Sequence, residues 1–138
     1  MLFRSKSHLL EAIGHHALES DRTVRYDLAS TFLNRLRHTY DSDSGEDVHD
    51  LTAWYQRRDT VLLDDIGIES ATPWVREQMT TLVEERLHSG GWMALATNLD
   101  KTAMADRMGD RLASRLYAGN PELSEVSLVI NTAEDYRA

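Results

Sequence analysis

The stretch Thr60–Gly67, TVLLDDIG, is an unbroken apolar run that ends in two carboxylates and a glycine. An acid at the tip of a buried strand is costly unless it meets a cation, hydrogen-bond donors or water. Successive residues of an extended chain point to opposite sides. One of Asp64 and Asp65 can therefore hold a hydrated magnesium ion while the other, at the turn, orients a water; alternatively, both acids merely cap the turn that follows. A second apolar run, Trp92–Leu99, ends in the polar pair Thr97-Asn98, and Lys6-Ser7 opens an apolar helical pattern. The triplet SKS at residues 5–7 stands where the phosphate loop G-x-x-x-x-G-K-[ST] has its last three residues. Lys6 then takes the place of the phosphate-binding lysine and Ser7 that of the magnesium-binding hydroxyl. Ser5 replaces the second glycine, and the first falls one residue before Met1. Those glycines matter because the loop's backbone N–H groups must turn inward around phosphates, a conformation that often needs positive φ.

Other polar clusters carry less. Asp41, Asp43 and Gly45 echo a calcium loop, but the glycine falls one place early. Thr52 also stands where a bidentate Glu is required, so Asp41–Asp50 reads as a solvated connection. His15 and His16 are adjacent on a helix and point to different sides, which argues for plain surface. Arg107, Arg111 and Arg115 form a basic strip, of which Arg111 and Arg115 share one helix face. On residue types alone, that strip is a surface with ordinary ion pairs.

The 138 residues, 41% hydrophobic and 28% charged, suit one soluble domain. No apolar run approaches a membrane span, and the N-terminal residues lack a secretory signal. The absence of cysteine excludes disulfides and zinc-thiolate sites and fits a reducing, cytoplasmic setting. A net charge of −8 argues against a generally basic nucleic-acid surface. An acidic body with one basic strip suits a partner-dependent DNA protein better than an autonomous DNA binder.

The elements that must position these groups alternate. A helix is predicted over Ser7–Glu19, with Ser7 as its cap and Leu9, Leu10, Ile13, Ala17 and Leu18 as its apolar set. A short strand over Arg22–Leu28 leads to a helix with Leu28, Phe32, Leu33 and Leu36 on one face. A short helix around Asp50–Gln56 precedes the first apolar run. Thr72 as N-cap, Pro73 at the first position and Gly90 as stop delimit the clearest helix, with Val75, Met79, Leu82, Val83 and Leu87 as its stripe. Asp100 caps another helix, Gly109 interrupts it, and Ser124–Thr132 reads as a last strand. Continuous rather than alternating apolar strands, with helices between them, predict a parallel sheet covered on both faces. Ligands then bind beyond the carboxyl ends of the strands, where Asp64, Asp65, Asn98, Lys6 and Ser7 all fall.

From Lys6 nearly to the C-terminus the chain resembles the DnaC/IstB-type helicase loaders and transposition helpers, a branch of the AAA+ ATPases. SKSHLLEAIGHHAL resembles the lysine-loop helix and YDLASTFLNRLRHTYD the second strand and helix. VLLDDIGIESATPWVREQMTTLVEERLHSG resembles the Walker B strand with its helix. MALATNLDKTAMADRMGDRLASRL resembles the sensor-1 strand and arginine-containing box, and EDYR the ending.

The resemblance implies one partial AAA+ domain over residues 1–138: a parallel P-loop NTPase sheet flanked by helices, missing its first strand and most of the phosphate loop. It also implies a truncated product, a misplaced start, or a chain that repairs its sheet with a partner. Under it, Asp64 and Ser7 hold Mg2+, and Ser5, Lys6, Ser7 and Arg137 bind ATP. Asp65 polarises water, Asn98 is sensor 1, and Arg111 or Arg115 is an arginine finger acting across a subunit boundary. It implies a replicative helicase or a transposase as partner, with single-stranded DNA and self-association through the arginine-bearing face, and no membrane. The function expected is an ATP-binding helicase-loader-like module with weak or absent hydrolysis; the alternative is an inactive interaction protein that binds a helicase or a full-length relative. A phosphotransfer receiver domain is disfavoured, because its acid pair belongs near the start of the chain and its lysine after a late strand.

Overall fold

The computed structural model describes residues 3–41, 48–67 and 72–117, leaving out the side chains of 3–5, 40, 41, 48 and 49. The expected strand at Ser124–Thr132, Arg137 and most of the acidic connection lie outside the described residues. The chain runs α1 (Phe3–Glu19), β1 (Val24–Leu28), α2 (Ala29–Asp41), α3 (Val48–Gln56), β2 (Thr60–Ile66), α4 (Pro73–Ser89), β3 (Trp92–Thr97), α5 (Lys101–Met108) and α6 (Asp110–Tyr117).

The three strands form one parallel sheet in the order β1-β2-β3, in register from Val24 through Thr60 to Trp92. β2 lies in the middle and is covered on both faces, which accounts for its continuous apolar run. Leu62 packs with Leu10 of α1 and Ala96 of β3 in a small cluster. Val61 and Leu63, pointing the other way, join the main core with Phe32, Leu36, Tyr55, Met79 and Leu82. Among the described residues β3 pairs only with β2. Only Ala96 of its six residues is buried, and Trp92 at its start remains 63% exposed.

α4 follows its signals: Thr72 accepts a hydrogen bond from Val75 N, Pro73 starts the helix, and Gly90 ends it at φ 72°. Asp100 caps α5 by accepting from Ala103 N at 2.8 Å. Three expectations fail. Helix α1 begins at Phe3, so Ser7 lies inside it and not at its cap. Of its apolar set, Leu10 and Ala17 are buried, whereas Leu9, Ile13 and Leu18 are about half exposed. Gly14 is the reason the helix sits so close, since a Cβ there would be 3.1 Å from Leu62 Cδ1. Leu28 belongs to β1 and is 43% exposed, leaving Phe32, Leu33 and Leu36 as the buried face of α2.

The amino ends of the strands are tied by a residue that apolar periodicity overlooks. Arg86 of α4 is 1% exposed. Its guanidinium donates to the carbonyls of Gln56, Arg58, Asp59 and Trp92, at 2.6 to 3.3 Å. Burial pulls its pKa down, with the nearby Asp59 opposing. The planar fork of five donors is the feature that lets one side chain reach four carbonyls.

Candidate functional site at the carboxyl rim

At the opposite end, β2 leaves the sheet abruptly. The β2–β3 register shifts between Leu63 and Ile66, and Asp65 takes a left-handed backbone at φ 57°. Asp is among the few residues that tolerate this region. The kink separates the two acids. Asp64 is 2% exposed, and its Oδ1 accepts the Asp65 backbone N–H at 2.9 Å. Its Oδ2 accepts from Ser7 Oγ at 2.5 Å and from Tyr26 Oη at 2.6 Å. Asp65 remains half-buried. Burial raises the Asp65 pKa first and the Asp64 charge second, while Lys6 opposes both.

Lys6 Nζ donates to Asn98 Oδ1 at 2.7 Å. The Asn98 turn is fixed by Thr97, whose Oγ1 donates to the Ile66 carbonyl at 2.8 Å and accepts from Leu99 N at 3.0 Å. The structure therefore brings Lys6, Ser7, Asp64, Asp65 and Asn98 to one rim, drawn from α1, β2 and the turn after β3. Arg111 and Arg115 lie elsewhere. Both reach Glu84 of α4, Arg111 in a two-pronged pair at 2.7 and 2.8 Å and Arg115 at 3.3 Å. Arg107 caps the turn after β2 by donating to the Gly67 carbonyl at 2.8 Å. The side chain of Ser5 and all of Arg137 lie outside the described residues.

Sequence reasoning missed Tyr26. Its phenol is pushed up to about 12, first by burial and then by its bond to Asp64. Beside it, Asp27 takes a two-pronged pair from Arg25 at 2.7 and 2.8 Å and a hydrogen bond from Tyr55 Oη. The only hint in the sequence was a polar VRYDL strand too weakly alternating to show which residue faced inward.

The donor set fits a hard cation with phosphate oxygens. Asp64 offers a carboxylate, and the Ser7 and Tyr26 hydroxyls can turn their lone pairs outward. No three His, Cys, Asp or Glu groups converge among the described residues. A magnesium ion held here would therefore complete its shell with water and phosphate, as that ion commonly does.

A parallel sheet with paired acids at the tip of its central strand, a polar Thr-Asn pair at the end of the next and a Lys-Ser helix beside them is the arrangement of an AAA+ P-loop domain. The model of the bacterial DnaA ATPase domain matches residues 4–121, and the chain belongs to that family. It is similar to the replicative helicase loader DnaC of Buchnera aphidicola, 22% identical over 115 residues that cover 83% of this chain and 47% of that protein. Its fold matches the AMPPCP-bound DnaA of Aquifex aeolicus with a TM-score of 0.73 at 24% identity, over 86% of this chain and 36% of that one. A DnaC helicase loader structure gives 0.68 at 23% identity, covering 87% and 69%. The chain thus spans about half or less of the curated relatives it matches.

Proposed function

We propose that this chain is the ATP-binding module of a helicase-loader-like replication protein, located in the cytoplasm. Support comes from one relationship: Ser7 donates to Asp64 while the adjacent Lys6 donates to Asn98, so oxygen and ammonium groups from separate parts of the chain gather at one rim. Lys6 neutralises phosphate oxygens, assisted by Ser5 and Arg137, and Ser7 with Asp64 holds Mg2+. The bound ion would neutralise phosphate charge. Asp65, kept less acidic by burial and by Asp64, orients a water, and Asn98 contacts that water or the terminal phosphate. Arg111 or Arg115 leaves Glu84 to act on a neighbouring subunit's nucleotide.

Hydrolysis is weak or absent in this reading. Ser5 stands where the phosphate loop has its second glycine, and each charge-assisted hydrogen bond lost from that cradle is worth roughly 1.5–3 kcal/mol. Two such losses weaken nucleotide binding by orders of magnitude. The partner is a replicative helicase, or a transposase in the mobile-element setting, with single-stranded DNA as a further ligand.

The test is magnesium-dependent binding of a fluorescent ATP analogue. Saturable binding that Asp64→Asn abolishes is the expected result. No binding at millimolar nucleotide would leave an interaction protein that keeps the AAA+ surface and not its chemistry.

A further inference from the structure

Asn98 is exposed, so its place is set by its backbone neighbours and not by packing. On one side, Thr97 Oγ1 donates to the Ile66 carbonyl at 2.8 Å and accepts the Leu99 N–H at 3.0 Å. On the other, the Tyr117 hydroxyl of α6 donates to the Leu99 carbonyl at 2.6 Å. The Leu99 side chain lies against the turn after β2, close enough that a Cβ at Gly67 would fall 2.2 Å from Leu99 Cδ1. Arg107 of α5 holds that same turn through the Gly67 carbonyl at 2.8 Å. The turn that presents Asn98 is therefore clasped to the acid-bearing strand on one side and to α6 on the other.

Tyr117 differs from the other members of this clasp. Its ring packs against the main core, which gives the hydroxyl a fixed origin. The carbonyl it holds stands between exposed Asn98 and Asp100. Water could serve that carbonyl nearly as well, so the bond adds little to stability. What it adds is place, because a phenol rooted in the core is anchored where a water is not. α6 also carries Arg111 and Arg115, both seated on Glu84. Tyr117 is thus a direct bond between the arginine-bearing helix and the Asn98 turn.

We propose that Tyr117 is a positioning residue for Asn98, fixing through the Leu99 carbonyl the turn from which the amide reaches a terminal phosphate. The inference rests on the nucleotide reading above and adds a specificity to it: the hydroxyl favours a nucleoside triphosphate over the diphosphate. In that reading Asn98 meets the terminal phosphate or the water beside it, so a diphosphate leaves the amide unused. By reciprocity, displacement of α6 from Glu84 weakens the same preference.

Competition of ADP and a non-hydrolysable ATP analogue against a fluorescent nucleotide, with magnesium present, tests it on the full chain. Tyr117→Phe keeps the ring and removes only the hydroxyl, and circular dichroism checks that the fold survives. The variant is expected to bind the ATP analogue about three- to tenfold more weakly, the range of one hydrogen bond, and ADP within about twofold of the parent. Without nucleotide, its Leu99 amide is expected to exchange with solvent about threefold or more faster, as a loosened turn does. The Thr23 amide, bound to Asp59 at the amino rim, is expected to exchange as in the parent. The assignment is overturned if folded Tyr117→Phe keeps the parent's ratio of the two affinities, whether both are unchanged or both fall together as a merely structural role predicts. It also fails if exchange at Leu99 is unchanged. A parent that binds neither nucleotide overturns the nucleotide reading itself, and this assignment with it, whatever Leu99 does.

Discussion

Tyr26 and Asp64, 38 residues apart in the chain, meet at 2.6 Å through the phenol hydroxyl and carboxylate Oδ2. The register places Leu28, and not Tyr26, level with Asp64. The tyrosine therefore leans along its strand toward the rim, as strand side chains commonly do. A tyrosine of the neighbouring strand thus completes the shell of the central one, while that strand's own acid, Asp27, is paired with Arg25 and Tyr55.

The pairing has a spectroscopic consequence. Tyr26 and Tyr55 are both pushed up to about 12, chiefly by burial and then by Asp64 and Asp27 respectively. A raised pKa means that the fold favours the protonated phenol. The stabilisation is complete below the ordinary value near 10 and is lost as the pH climbs toward 12. Tyrosinate absorbance is expected to show Tyr26 and Tyr55 titrating late, with Tyr117 also raised by burial, and Tyr26→Phe to remove one of the late transitions. Ionisation of every tyrosine near pH 10, with the fold intact, would contradict the geometry.

Arg86 is expected to be among the most damaging positions to change. Arg86→Ala strands four carbonyls and leaves a cavity at the amino rim, costing about 3–5 kcal/mol by urea denaturation. Arg86→Lys should recover little, because one ammonium cannot reproduce the fork. Stability of the lysine variant within ~0.5 kcal/mol of the parent, the usual range for surface changes, would show that the bonds contribute nothing.

Two glycines separate strain from crowding. Gly67 at φ 95° and Gly90 at φ 72° both occupy left-handed backbone. A Cβ at Gly67 would fall 2.2 Å from Leu99 Cδ1, whereas one at Gly90 meets nothing within 4 Å. Gly90→Ala is expected to cost about 1 kcal/mol from backbone strain alone. Gly67→Ala adds overpacking of about 1–3 kcal/mol. Equal melting temperatures for the two variants would refute the distinction.

Glu84 holds Arg111 and Arg115 against α4. Burial raises its pKa, but the two arginines outweigh that, and the net shift is down. A depressed carboxylate contributes stability above its ordinary value and loses it as the pH falls through the folded one. Glu84→Gln should therefore lower the urea midpoint at neutral pH, by ~1 kcal/mol or less for so exposed a pair. At acid pH, variant and parent should coincide. A constant difference across that range would mean that Glu84 acts through packing.

Much of this was legible before the fold was known. The continuous run at Thr60–Ile66 marked the central strand, because only a strand buried on both faces dispenses with alternation. Thr72, Pro73 and Gly90 bounded α4 because caps act through their own backbone neighbours. Helix α1 was read less well. Its apolar residues go all round, and which of them are buried is settled by the sheet that Gly14 admits.

By itself, then, the sequence determined the alternation of elements, the central strand and the candidates Lys6, Ser7, Asp64, Asp65 and Asn98, since hydrophobic period, caps and motif spacing are local properties. Tertiary structure alone decided that Tyr26 completes the Asp64 shell, that Arg86 laces the amino rim, and that Glu84 holds Arg111 and Arg115. Each of these joins residues on different elements, and their meeting depends on strand register and helix placement, which no local pattern encodes.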